Sequence, residues 1–268
     1  MGNKSMEKII TVSIPPFGYF VEEIAGDKFQ VNVMVPPGND PHIYEPYPEQ
    51  IKKLGRSVGY ISNGFLGFEA VWLERFFEIN KGMKKLSVGG VIEPLHPVHT
   101  NSNHIHELAD PHYWVSPRSG VLMTKEIARF FKEIDPENSA FYEANSERLI
   151  EKITELDRKA AELFGTTVRK SFMIFHPALG YIARDYGLKE IAVEAEGKEP
   201  SPARLKELVD KAHEGNFKVI FVQKEFDVKY ARVIAQEAGL EVVVIDPLSA
   251  DWYAATSDII NSLYESLK

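Results

Sequence analysis

Four side chains that can bind a metal lie where the chain is predicted to leave a strand or to form a proline-flanked loop. His42 lies in the loop after the second predicted strand, while His176 and Asp246 each directly follow an apolar run. His112 belongs to the loop-like segment 110–114. Because loops at the carboxyl ends of parallel strands converge on one crevice, these side chains can meet there. Imidazole nitrogens and a carboxylate oxygen are ligands for a divalent cation.

Each of these residues alone also has an ordinary structural explanation. A single histidine near a strand end is more often hydrogen-bonded than metal-bound, and Asp246 fits a turn or the start of a helix as well. All four lie beside a proline, in the pairs Pro41-His42, Pro111-His112, His176-Pro177 and Asp246-Pro247. Because proline restricts its own backbone and that of its neighbour, these loops can hold a ligand in place. We therefore interpret the four residues jointly, as one metal site.

The amino-acid composition excludes several kinds of site and partner for this chain. The 268 residues include no cysteine, which excludes disulfides, thiol nucleophiles and thiolate metal ligands. The formal net charge is −8 and no Lys/Arg cluster forms a basic face, so no nucleic-acid partner is expected. No run of 18 or more apolar residues occurs, so the printed chain is not expected to span a membrane.

The elements that must position the four residues alternate between strands and helices. In the first part of the chain, strands are predicted at 8–14, 29–35, 58–62 and 85–91, with helices at 19–24, 48–54 and 68–77. In the second part, strands are predicted at 171–175, 191–193, 218–222 and 241–245, with helices at 180–186, 202–213, 229–238 and 253–267. This alternation predicts an α/β fold of two lobes, each with a mostly parallel sheet flanked by helices.

One continuous helical pattern lies between the two series. Apolar residues keep helical spacing from Phe141 to Phe164, and no Gly or Pro interrupts this stretch. About 28 residues at ~1.5 Å per residue give a helix of roughly 42 Å. We interpret it as a rigid link, with an ordinary long surface helix as the alternative. The predicted parts are a metal-binding lobe at 7–134, the long linking helix at 135–166 and a second metal-binding lobe at 167–268.

The chain resembles a known family along almost its whole length. The matching stretches are PPGNDPHIYEPYPEQI, DPHYWVSP, DPENSAFYEAN, FHPALGYIARDYGL, EAEGKEPSPARLKEL and VIDPLSADW. In order and spacing they are similar to the metal-binding subunits of ABC importers for zinc and manganese, the ZnuA, TroA and PsaA type. The resemblance implies that the metal ligands are His42, His112, His176 and Asp246, the same four residues.

The residue at position 176 bears on the identity of the metal. Zinc-type members of the family have histidine there and many manganese-type members have glutamate; this chain has His176. Three imidazoles and one carboxylate suit a compact tetrahedral zinc site, whereas manganese prefers more oxygen ligands. We therefore expect zinc, with manganese as the alternative.

The stretch 96–106 contains four histidines and resembles a short form of the His-rich loop of zinc-type members. A solvated loop is its alternative reading.

The resemblance implies an extracytoplasmic solute-binding protein that captures a divalent cation in the inter-lobe cleft and delivers it to an ABC permease. An enzyme is not expected, because four protein ligands leave zinc no open position for water, and no His-Glu-x-x-His motif occurs. A zinc hydrolase and a metal-dependent adhesin are the alternatives. We expect a monomer that is periplasmic or lipid-anchored on the outer face of the cytoplasmic membrane. The opening residues 1–6 contain no apolar segment, so we expect that the native signal segment is missing.

The partners that orient the histidines are open at this point. A ligating histidine usually donates its other N–H to a carboxylate or carbonyl, and Glu45, Asp110 and Glu225 are the candidates. Two residues depart from the family pattern. Gln223 stands where an acidic residue is often found, and Ser116 stands where many members have Asp before the proline.

Overall fold

A computed structural model describes residues 8–96, 109–194 and 202–268. These residues form two compact units. The described residues of Met1–Trp114, Ser119–Ile153 and Leu248–Asp251 make up the first unit, and those of Val115–Arg118, Thr154–Pro247 and Trp252–Lys268 make up the second. No helix in the described residues combines the length and the apolar character needed to cross a membrane.

The first unit is built around a four-stranded parallel sheet. Its strands are β1 (Ile9–Val12), β2 (Gln30–Val33), β3 (Ser57–Ser62) and β4 (Lys84–Ser87), in the order β2-β1-β3-β4. The helices along this part of the chain are α1 (Pro15–Ala25), α2 (Pro48–Leu54), α3 (Gly67–Ile79) and α4 (Pro117–Ile134). Every residue of β1 is buried, as expected for a central parallel strand covered on both faces. The largest side chains of this core include Phe17, Phe20, Tyr60, Phe68, Phe76 and Phe131.

The second unit repeats this topology. After α5 (Ser139–Thr166), the chain forms β5 (Ser171–Ile174), α6 (Gly180–Tyr186), β6 (Lys189–Ala192), α7 (Pro202–Glu214), β7 (Val219–Gln223), α8 (Val228–Ala238), β8 (Glu241–Ile245) and α9 (Trp252–Ser266). The four strands are parallel, in the order β6-β5-β7-β8. The core beside this sheet includes Met173, Val193, Leu208, Ile220, Val222, Ala231 and Ile234.

The predicted fold class is confirmed, including the long helix between the two series of strands. The helix α5 runs without interruption for 28 residues, and its residues divide between the two units after Ile153. Helix α4, of 18 residues, has no counterpart among the predicted elements. The strand predicted at 85–91 ends at Ser87, because the chain turns into a short 3-10 helix at Val88–Val91 that contains two adjacent glycines.

A buried carboxylate stabilises the first unit just before α5. Asp135 is 6% exposed and accepts hydrogen bonds from Lys8 Nζ at 2.9 Å, from Asn138 Nδ2 at 2.7 Å and from the Tyr142 hydroxyl. Burial by itself raises the pKa of Asp135, but these three donors outweigh it and lower the pKa to about 2. Since the pKa is below that of an unfolded aspartate, the carboxylate stabilises the fold above pH 4 or so, and this support is lost as the pH falls through about 2.

Replacing Asp135 with asparagine should therefore lower the free energy of unfolding at pH 7 by about 2 kcal/mol. Urea unfolding of both proteins measures the difference, which should narrow to about half at pH 3, because the Asp135 carboxyl of the unfolded chain is then mostly protonated while that of the folded protein is still mostly charged. Asp258→Asn, which changes an exposed helical aspartate, serves as the control and should be nearly neutral. A difference that does not depend on pH would contradict the assignment.

Candidate metal centre

His112 is held by its own loop at both its backbone and its ring. It begins a short 3-10 helix, His112–Val115, and is 6% exposed. The carboxylate of Asp110 accepts the His112 backbone N–H at 2.9 Å, and the same oxygen lies 2.8 Å from His112 Nδ1. A ring that donates from Nδ1 carries its lone pair on Nε2, which is the form that binds a metal. Asp110 was one of the three carboxylates proposed from the sequence, and it is the partner of His112.

The residues on both sides of His112 are anchored by Asn63, which follows strand β3. The Asn63 side chain donates to the Pro111 carbonyl at 3.0 Å, and the Tyr113 hydroxyl donates to the Asn63 carbonyl at 2.8 Å. Asn63 is in turn fixed by Glu69, a carboxylate that is 2% exposed and accepts the Asn63 backbone N–H at 2.7 Å. Burial raises the pKa of Glu69, and the hydrogen bonds it accepts offset part of this effect. This buried network fixes the position of the His112 loop.

His42 lies in a loop that is fastened at both ends by one glutamine. Gln50 donates to the carbonyls of Val33 at 2.9 Å and Met34 at 2.7 Å, where the loop begins, and accepts the N–H of Tyr47 at 2.8 Å, where it ends. The middle of the loop approaches the start of helix α3 closely. A Cβ on Gly67 would lie 2.8 Å from the His42 carbonyl oxygen, so only glycine fits there.

His42 and His112 form a pair within the first unit. Their ring centroids are 5.2 Å apart, and each can present a ring nitrogen within 4.8 Å of one on the other. The backbone N–H of His42 donates to the carboxylate of Asp40 at 2.8 Å, as that of His112 does to Asp110. Both histidines therefore occupy the same local turn, Asp-Pro-His, in which the carboxylate accepts an N–H two residues later.

His176 lies in the second unit, at the point where the strand order of the sheet reverses between β5 and β7. Such switch points are where open parallel sheets bind ligands. The Nδ1 atom of His176 lies 2.8 Å from Glu194 Oε2, so Glu194 orients this ring as Asp110 orients His112. The ring also stacks on Phe226, with centroids 4.7 Å apart. Gln223, the last residue of β7, donates from Nε2 to the His176 carbonyl at 2.5 Å.

The role of Glu194 was not predicted from the sequence, although a signal for it was present. Glu194 follows β6 at the same edge of the sheet at which His176 follows β5, and its backbone N–H donates to the Phe175 carbonyl at 2.9 Å. Its side chain is 9% exposed. Gln223, which departs from the acidic pattern of the family, holds the backbone of His176 instead of its ring. For Glu45, which is exposed, and for Glu225, a role as histidine partner stays a prediction.

If Glu194 orients His176 for a metal, Glu194→Gln should lower the zinc affinity by about tenfold, because carboxylate partners of ligating histidines commonly contribute that much. Titration against a fluorescent zinc chelator measures the change. Glu237→Gln, at an exposed position of α8, is the matched control and should leave the affinity unchanged. Equal affinities for the two variants would exclude Glu194 from the site.

Asp246 directly follows β8, two strands along the sheet from His176. Its side chain is 37% exposed, and Oδ2 lies 3.1 Å from Lys224 Nζ. Each unit thus carries two of the four predicted ligands: His42 and His112 in the first, His176 and Asp246 in the second.

The stretch 97–106, which holds three of the four clustered histidines, lies outside the described residues, whereas His96 is exposed.

The protein is of the α/β class, with two units of the same strand order that carry metal-capable side chains in loops of the first unit and after strands of the second. The chain belongs to the family described as zinc-uptake complex component A, periplasmic, whose model matches residues 10–266. This is a family of solute-binding proteins of metal importers and not of enzymes, in agreement with the expectation for this chain.

The chain is similar to relatives with different metals in their names. It is 28% identical over 254 residues to the zinc-binding lipoprotein AdcA of Streptococcus pneumoniae. This match covers 90% of this chain and 50% of AdcA. The chain thus spans about half the length of AdcA. It is also 28% identical over 231 residues to the manganese ABC transporter substrate-binding lipoprotein PsaA of Streptococcus mitis, covering 82% of this chain and 74% of PsaA. A crystal structure of ZnuA superposes with a TM-score of 0.91 at 36% identity, over 98% of this chain and all of the other.

Proposed function

We propose that this chain captures one zinc ion through His42, His112, His176 and Asp246 and delivers it to the membrane permease of an ABC importer. The observation that carries the proposal is the pairing of two histidine rings with partly buried carboxylates, whose side chains are 20% exposed for Asp110 and 9% exposed for Glu194. Asp110 and Glu194 each approach a histidine Nδ1 at 2.8 Å. This arrangement fixes the tautomer and the direction of a ligating imidazole, as is typical of histidines that bind a metal. It occurs at two of the three predicted histidine ligands.

The choice of zinc rests on the ligand chemistry of the chain and not on its relatives, whose names include both zinc and manganese. Three imidazoles and one carboxylate form a compact, nitrogen-rich set that suits four-coordinate zinc. Manganese favours oxygen ligands and higher coordination, which this set supplies poorly. The unbroken 28-residue helix supports the three-part organisation proposed from the sequence, in which α5 links residues 7–134 and 167–268.

The partners and location follow from the same proposal. The metal ion is the cargo, the permease is the protein partner, and the chain acts as a monomer outside the cytoplasmic membrane, free or lipid-anchored. The histidines of 96–106 gather metal without being needed for the main site. Removing residues 96–106 should therefore leave tight binding of one zinc ion intact.

Two measurements test the proposal. Competition titration of the metal-free protein should give one tight zinc site and a much weaker response to manganese, and tight binding of manganese would contradict the choice of metal. In cells that lack this gene, accumulation of radioactive zinc in zinc-poor medium should fall and should be restored by the wild-type gene but not by His112→Ala. Normal zinc accumulation without the gene would favour the adhesin alternative over transport.

A further inference from the structure

Lys224 and Asp246 meet because they follow neighbouring strands of the second unit. Strands β7 and β8 pair in parallel up to Gln223 and Ile245, and the Lys224 backbone N–H continues the ladder by donating to the Ile245 carbonyl at 2.9 Å. The two side chains therefore leave adjacent strand ends. Lys224 Nζ lies 3.1 Å from Asp246 Oδ2. The contact is a consequence of the sheet register and not of a chance surface encounter.

The position of the ammonium matters because a carboxylate can bind a metal in two ways. With both oxygens free it can bind side-on and supply two bonds; with one oxygen held by a donor it supplies one bond through the other. Lys224 holds Oδ2, which leaves Oδ1 for the metal. Four-coordinate zinc needs a single oxygen beside three imidazoles, whereas manganese gains from every additional oxygen bond.

We propose that Lys224 is a specificity-determining residue of this chain, which restricts Asp246 to one metal bond and so favours zinc over manganese. The inference rests on the proposed function, since it takes Asp246 as a metal ligand. Lys224 itself does not contact the metal. It acts on the metal through Asp246, by holding the carboxylate oxygen that manganese would otherwise recruit.

The size of the effect follows from the exposure of the pair. The side chains of Lys224 and Asp246 are 64% and 37% exposed, so water and salt screen their attraction. An exposed ion pair of this kind shifts an equilibrium by about threefold to fivefold. The expected change in selectivity is therefore modest. It can still be told from simple charge repulsion, because it changes the ratio of the manganese and zinc affinities. Loss of a nearby positive charge alone would strengthen the binding of both metals equally.

Lys224→Met tests the inference, since methionine keeps much of the length but has neither charge nor donor. The ratio of manganese to zinc dissociation constants should fall by about threefold to fivefold, because Asp246 can then bind side-on. The absorption of the cobalt(II)-loaded variant should also weaken toward that of a higher-coordinate ion, whereas cobalt in the wild type should give the intense bands of a four-coordinate ion. Lys229→Met, which removes an exposed lysine paired with Asp227, is the matched control and should change neither readout.

The outcomes separate this inference from the proposed function. If wild-type protein binds no zinc tightly, or if Asp246→Ala leaves zinc affinity unchanged, the proposed site fails. If zinc binds as proposed but Lys224→Met changes both affinities by the same factor, or leaves the cobalt spectrum unaltered, Lys224 does not determine specificity. A reduced selectivity together with the altered cobalt spectrum supports the role proposed for Lys224.

Discussion

Replacing His176 with alanine should lower the zinc affinity of this protein by about hundredfold or more. A structural zinc site contributes about 10–16 kcal/mol over four ligands, so that each ligand accounts for roughly 3 kcal/mol. The His176 ring is fixed on two sides, by Glu194 at 2.8 Å and by stacking on Phe226 at 4.7 Å. A water that replaced the ring would lack these two contacts and would have to be ordered at the expense of binding free energy.

The control for this substitution is His213→Ala, which removes an exposed histidine from the last turn of α7. Isothermal titration of zinc into both metal-free variants, with thermal unfolding of each recorded alongside, separates lost binding from lost folding. His213→Ala should bind zinc like the wild type. If His176→Ala also binds like the wild type while remaining folded, His176 is not a ligand.

Acidification should weaken zinc binding even more than loss of one ligand does. An imidazole binds a metal only when the coordinating nitrogen is deprotonated, so protons compete with zinc at each histidine. Ordinary imidazoles take up protons between pH 7 and pH 5, and three such competitions together lower the apparent affinity at pH 5 by about thousandfold or more relative to pH 7.5. The sign is fixed: lower pH favours the protonated histidines and releases the metal.

The pH experiment can be separated from acid unfolding. The stabilising carboxylate of Asp135 keeps its charge until the pH falls toward about 2, so this contribution to folding persists at pH 5. Zinc titrations at pH 7.5, 6.5, 5.5 and 5, each with a circular dichroism spectrum, record both quantities. In His176→Ala the loss of affinity with pH should be shallower, since two imidazoles compete instead of three. A wild-type affinity that stays constant over this range would exclude histidine ligation.

Most of the fold was predictable because its signals are local. Apolar runs with β-branched residues predicted seven of the eight strands in the described residues, and the unbroken helical spacing from Phe141 to Phe164 predicted α5. The exception is β4, which has the sequence KKLS and no β-branched residue. Helix α4 was not predicted, although its sequence from Pro117 to Ile134 shows an amphipathic pattern. The adjacent glycines Gly89 and Gly90 were a sequence signal for the turn into a 3-10 helix at Val88–Val91, but the contact that fixes it is not local: the Gly89 N–H donates to the Asn63 carbonyl at 2.9 Å.

The candidate ligands were predictable from strand ends and family motifs, but their supporting contacts were only partly so. Asp110 could be proposed because it is two residues from His112. Glu194 and Lys224 could not be paired with His176 and Asp246 in advance, because each pair is brought together by the strand order β6-β5-β7-β8 and its register. The tripeptide Asp-Pro-His occurs at 40–42 and again at 110–112, and in both places the carboxylate accepts the histidine backbone N–H.

The most direct test of the metal site is an anomalous difference map, recorded at the zinc absorption edge from crystals of the zinc-loaded protein. We predict one strong peak, bonded at about 2.0–2.2 Å to one nitrogen from each of the three histidines and to one carboxylate oxygen. These ligands would come from His42, His112, His176 and Asp246. A principal peak away from these residues, or one bound by only some of them with the rest of its ligands supplied from elsewhere in the chain, would contradict the account.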